Sequence, residues 1–89
     1  MEKFKFGQLV KFLRLQKKLT IKDLLLKMGN PFNATYMTKI ELKNEIPSPI
    51  NIIKLANALD QKYDLFIETA KKEQLQNYKK KIDRIYKVK

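Results

Sequence analysis

Short amphipathic segments, each closed by a cap or a turn signal, restrict this chain to a bundle of short helices. Phe6, Leu9, Val10 and Leu13 recur at i, i+3, i+4 and i+7, one face of a helix over about residues 5–17. Lys11, Arg14 and Lys17 fall largely on its other faces. Leu19-Thr20 breaks the pattern. Thr20 is a good N-cap, and Asp23 stands where the helix dipole favours an acid. A second helix is therefore predicted over 21–28, with Leu24 and Leu25 inward and Gly29 as its stop. Asn30-Pro31-Phe32-Asn33 reads as a turn, because Pro31 disfavours helix at Asn30. Asn33 then caps a third helix over 34–43, with Met37 and Ile40 toward the core.

Asn44 to Pro49 is a second loop. Ser48 is placed to cap a fourth helix and Pro49 to occupy its first position, over 49–59. Ile52, Ile53, Leu55, Ala56 and Leu59 are available to the core. Asp60-Gln61-Lys62 is a hinge or cap, and residues 63–70 suggest a fifth helix burying Leu65 and Phe66. Strand signals are few, so the expected fold class is all-α.

The residue inventory narrows the function. The 89 residues suffice for one compact domain and a short extension. They contain no His, Cys or Trp, which removes the commonest general base, thiolate chemistry and nearly all transition-metal sites. No nucleophile–base pair is visible. The expectation is a non-enzyme with no catalytic residue, metal, cofactor or small-molecule substrate. No apolar run approaches the roughly 18 residues of a membrane span. The start, Met1-Glu2-Lys3-Phe4-Lys5-Phe6, is charged and lacks a signal-peptide core, so a cytoplasmic location is expected.

The net charge is +11, enough to attract a polyanion or an acidic protein. Residues 1–70 carry 12 basic and 7 acidic groups, and residues 71–89 carry 8 and 2. The expected division is accordingly a domain over 1–70 and a basic amphipathic helix over 71–89. In that tail Leu75, Tyr78, Ile82 and Ile85 are spaced 3, 4 and 3. Projected backward, the stripe meets Lys71 and Glu68, so a break or bend is expected near 71–74. Three readings of the stripe stand: docking on the chain's own core, pairing with a second copy, or lying on an anionic membrane or nucleic acid.

Two short helices joined by a turn, the second with an exposed polar face, form the helix-turn-helix pattern. The segments Leu19-Thr20-Ile21-Lys22-Asp23-Leu24-Leu25, Gly29, Tyr36-Met37-Thr38-Lys39-Ile40-Glu41 and Pro47-Ser48 resemble the Cro/repressor-type (XRE-type) helix-turn-helix family. The resemblance spans about residues 6–67 and implies a five-helix repressor-like domain. In that family an Arg of helix 1 pairs with the Glu that ends the recognition helix, and Arg14 and Glu41 fall at those places.

The resemblance also implies a DNA-reading surface. It puts recognition positions on Asn33, Ala34, Thr35, Tyr36 and Lys39. Asn33 would hold a phosphate at the helix N-terminus. Thr35, Tyr36 and Lys39 would face bases, Lys39 donating to guanine and Thr35 or Ala34 meeting a thymine methyl. Tyr36 has two further readings, a phosphate contact or a half-buried packing place. Thr38 is a helix-surface residue or a phosphate contact. Lys22, Lys43 and Asn44 are phosphate candidates.

Three departures from the family pattern stand out. Ile21 replaces a usual Gln, Lys43 replaces a usual Gly, and the turn Asn30–Asn33 is about two residues longer. A left-handed backbone at Lys43 would cost roughly 1 kcal/mol, so helix 3 is expected to run on or to end differently. The implied function is a sequence-specific transcriptional regulator, a repressor, binding double-stranded DNA as a homodimer on a palindromic operator. The rival is an antitoxin-like interaction module that neutralises a partner protein through the tail stripe and autoregulates its promoter.

Overall fold

The structure, a computed structural model, describes the backbone of residues 4–86 and the side chains of residues 4–75. It is all-helical, with α1 (Phe6–Gln16), α2 (Ile21–Met28), α3 (Ala34–Lys43), α4 (Pro49–Ala58) and α5 (Tyr63–Tyr86), and no strand among the described residues. No helix there is long and apolar enough to cross a membrane. The core gathers Phe6, Leu9, Val10 and Leu13 of α1, Leu24, Leu25 and Met28 of α2, Met37 and Ile40 of α3, Ile52, Leu55 and Leu59 nearby, and Phe66 and Ala70 of α5. Phe6 and Phe66 meet edge to face, with ring centroids 6.0 Å apart. Ile53, one of the expected core positions, is instead exposed, because the buried face of α4 runs through Ile52, Leu55 and Ala56.

Local chemistry sets the helix ends. At α2 the Thr20 hydroxyl accepts from the Asp23 N–H and the Asp23 carboxylate accepts from the Thr20 N–H, both at 3.0 Å. The Asn33 carboxamide oxygen accepts from the Tyr36 N–H at 2.8 Å and starts α3. Ser48, expected to cap α4, makes no side-chain cap bond; Pro49 at the first position has no N–H to satisfy.

Four helices end on a left-handed residue: Lys18, Gly29, Asn44 and Asp60 have φ of 59°, 84°, 56° and 56°. After α2, the Asn30 N–H donates to the Leu25 carbonyl and the Gly29 N–H to that of Leu26, the paired bonds of a Schellman motif. Lys18 and Asp60 sit in equivalent arrangements. Lys18 therefore holds a conformation that disfavours any Cβ.

The expected break near 71–74 does not occur, and α5 runs unbroken to Tyr86. Lys71, Lys72, Glu73 and Gln74 include no Gly, Pro or capping residue to stop a helix. The mismatch in register is resolved by a change of face. The inward face runs Phe66, Ala70, Glu73, while Leu75 stands off it, exposed. The side chains of Tyr78, Ile82 and Ile85, candidates for dimerisation, lie outside the described residues.

Two glycine substitutions should move stability in opposite directions. Lys18→Gly is expected to raise it by roughly 0.5–1 kcal/mol, by relieving the left-handed backbone. Gly7→Ala should lower it by roughly 1–3 kcal/mol, since a Cβ there would overlap the carbonyl oxygen of Ile40 on α3. Urea unfolding of the two variants checks both.

Candidate nucleic-acid interface

The seating of α3 decides which of its residues reach solvent. Met37, Ile40 and Glu41 point inward. Glu41 is only 7% exposed and Arg14 8%, yet both find partners. The Arg14 Nε donates to Glu41 Oε2 at 2.7 Å and its Nη2 to Oε1 at 3.0 Å, a two-pronged pair. The remaining Nη1 donates to the Leu19 carbonyl at 2.7 Å. One guanidinium thus ties α1, the loop before α2 and the end of α3, and fixes the roll of α3 about its axis.

That roll turns Thr35, Lys39 and Leu42 outward, spaced i, i+4 and i+7 along one exposed face. Ala34 and Lys43 are exposed beside it, and Lys22 is exposed in the first turn of α2. The acid of α3, Glu41, is neutralised by Arg14, so no free carboxylate lies on this helix. The surface is cationic and short-chained toward its N-terminal end.

Other predicted positions are committed elsewhere. The Asn33 carboxamide oxygen is the α3 cap. The Thr38 hydroxyl donates back to the Ala34 carbonyl at 3.0 Å. Tyr36 is half-buried, edge-on to Phe32 with centroids 4.8 Å apart, so the longer turn is filled by an aromatic pair. Burial, and secondarily the Glu45 carboxylate, raise the Tyr36 phenol above its ordinary value, so it stays a neutral donor. Asn44 is engaged at both polar ends: its Oδ1 accepts from the Gly7 N–H at 2.9 Å, and its Nδ2 donates to Glu73 at 2.6 Å. It is also the left-handed residue that ends α3, so Lys43 stays helical.

Leu42 escaped the sequence reading. It is 66% exposed at the C-terminal end of the outward face. Its signal was the i+7 spacing from Thr35, masked because a leucine is first assigned to a core. Ile21, at the position where the family pattern carries Gln, packs half-buried against the core. Among the described residues, no group of three or more carboxylates is gathered where a metal ion could sit. Comparison of the chain with protein-family models and with curated proteins finds no match.

Arg14→Met should cost about 3–5 kcal/mol, because it strands the buried Glu41 carboxylate. The double variant Arg14→Met/Glu41→Leu should recover most of that loss. A double-mutant cycle in urea reads the coupling. Acid should weaken the fold at two exposed carboxylates. The Thr20 N–H and hydroxyl hold Asp23 below the ordinary carboxylate range, and the Lys17 ammonium does the same for Asp60. A lowered folded-state pKa gives stability that is present above the unfolded value and lost as pH falls through the folded one. Unfolding midpoints should therefore decline below about pH 4, less steeply in Asp60→Asn.

Proposed function

We propose that the chain is a sequence-specific DNA-binding transcriptional regulator, a repressor, with α3 as the reading helix of a Cro/repressor-type helix-turn-helix. The observation that carries this reading is the outward face of α3. A buried ion pair sets its roll, it holds no free carboxylate, and it presents Thr35 and Lys39, while Lys22 is exposed on α2. The 10 residues of α3 give a rod roughly 15 Å long, a size the major groove admits.

In this reading Lys39 donates to guanine O6 or N7, and Ala34 and Thr35 sit against thymine methyls. Lys22 and Lys43 neutralise phosphates and supply the salt-dependent part of the affinity. Asn33 and Asn44 serve by holding α3 at its two ends. The chain acts as a homodimer on a palindromic operator, because one short helix gives too few base contacts for useful specificity. The basic stretch 71–89 joins the two copies.

Selection from a random duplex library tests the reading, with enrichment of a palindrome expected. Lys39→Ala should weaken the selected duplex by about 1–3 kcal/mol and relax preference at one base pair. Lys22→Ala should weaken selected and random duplex alike and reduce the salt slope by about 1. A Lys39→Ala protein with unchanged affinity and preference would remove α3 from the reading role.

A further inference from the structure

Among the described residues, an apolar exposed patch lies on the outer side of α1, away from the outward face of α3. Phe12 is 42% exposed and Leu15 54%, on the face of α1 turned away from Phe6, Leu9 and Leu13. Phe4 packs edge-on against Phe12 at 5.3 Å and extends the patch toward the start of the helix. Nothing in the fold requires these rings outside. Phe12 and Leu15 lie outside the core while Phe4 packs partly buried at its edge, and an exposed cluster of this kind marks an interaction surface.

The patch continues into a second feature. Gln8 and Lys11 line both the apolar patch and a cleft of about 440 Å3 between the first half of α1 and the end of α3. Lys5 and Lys43 stand on the walls of the cleft, with Leu42 beside them. Its one acid, Glu41, is already held by Arg14. The result is one continuous surface, apolar at one end and carrying at the other three lysines with no ion-pair partner among the described residues.

We propose that this α1–α3 surface is a docking site for an acidic amphipathic segment of a partner protein. Its apolar side chains fill the place over Phe4, Phe12 and Leu15, and its carboxylates meet Lys5, Lys11 and Lys43. The chemistry selects that occupant. A phosphate backbone offers nothing to seat on Phe12 and Leu15, whereas an amphipathic helix lays its apolar face on such side chains. A recessed cleft between two helices fits a peptide better than a planar lipid surface. A second copy pairing through this same face would set its own Lys5, Lys11 and Lys43 against these three. Complementary charge at the rim steers the encounter, and the aromatic ring supplies the anchor. The site is independent of the proposed reading of DNA by α3, apart from Lys43 and Leu42 at their common edge.

Selection of a displayed library of random 12-residue peptides against the full chain tests the proposal. Peptides pairing apolar residues with two or more Asp or Glu should be enriched. Phe12→Ser/Leu15→Ser and Lys11→Glu should each weaken them at least tenfold. Lys54→Glu, the same charge change on α4, should leave binding within twofold, and so should Lys39→Ala. All the substituted side chains are exposed, so the helical circular dichroism should not change. No enrichment, enrichment without acidic residues, or indifference to the α1 substitutions overturns the proposal. Co-sedimentation with phosphatidylserine vesicles that Phe12→Ser abolishes, without peptide enrichment, would assign the face to a membrane surface instead. Loss of duplex binding in Phe12→Ser/Leu15→Ser would assign it to nucleic acid.

Discussion

The buried pair of Arg14 and Glu41 is the contact on which the arrangement of the first three helices depends. Its desolvation is expensive, and the geometry compensates by using both carboxylate oxygens and a third acceptor, the Leu19 carbonyl. A buried pair of charges tolerates little rotation, because a turned helix would leave one of them unpaired. Hydrophobic packing alone is more forgiving. The ion pair thus favours the same roll of α3 that buries Met37 and Ile40, and that roll separates an inward face from an outward one.

A second device acts at the other end of the same crossing. Gly7 lets α1 lie directly on the carbonyls of Ile40 and Glu41, and its freed N–H donates to Asn44. Lys5, at the start of α1, has only donors in its side chain, so Gln8 Oε1 accepts from the Lys5 N–H and Asn44, 37 positions beyond Gly7, accepts from the Gly7 N–H. Asn44 suits three tasks together. It tolerates the left-handed backbone that stops α3, it accepts from α1, and it donates to Glu73 of α5. The end of the proposed reading helix is thereby tied to the first and last helices of the fold.

The surfaces left over divide by chemistry. The outward face of α3 is polar and cationic, suited to a groove lined by phosphates and base edges. The outer face of α1 is aromatic and aliphatic, suited to a protein side chain. The two meet along Leu42, Lys43 and the cleft. This adjacency offers a route by which a bound partner and a bound duplex would sense one another, through competition for Lys43.

Much of the fold was legible in the chain because its signals are local. Thr20 with Asp23, Asn33 and Gly29 mark helix ends by bonds within a few residues, and the 3.6-residue period marks the buried faces; both survive in an isolated sequence. The all-α class and the boundaries of α2 and α3 follow from them. The periodic reading failed at Ile53, which is exposed, and at the join near 71–74, where a mismatch of register is no break because no residue there stops a helix; Ser48 makes no side-chain cap bond. The half-buried place of Tyr36 against Phe32, four residues away, is a local contact and one of the readings open to the sequence. Only the tertiary structure committed Asn44 to Gly7 and Glu73, turned Leu42 outward and set Phe12 beside a basic cleft. Each of these depends on the roll and crossing of helices distant in sequence, a relation that a periodic pattern along one segment does not encode. The amino-acid order by itself determined which segments become helices and where α2 and α3 begin and end; the packing decided which of their side chains are left free to meet another molecule.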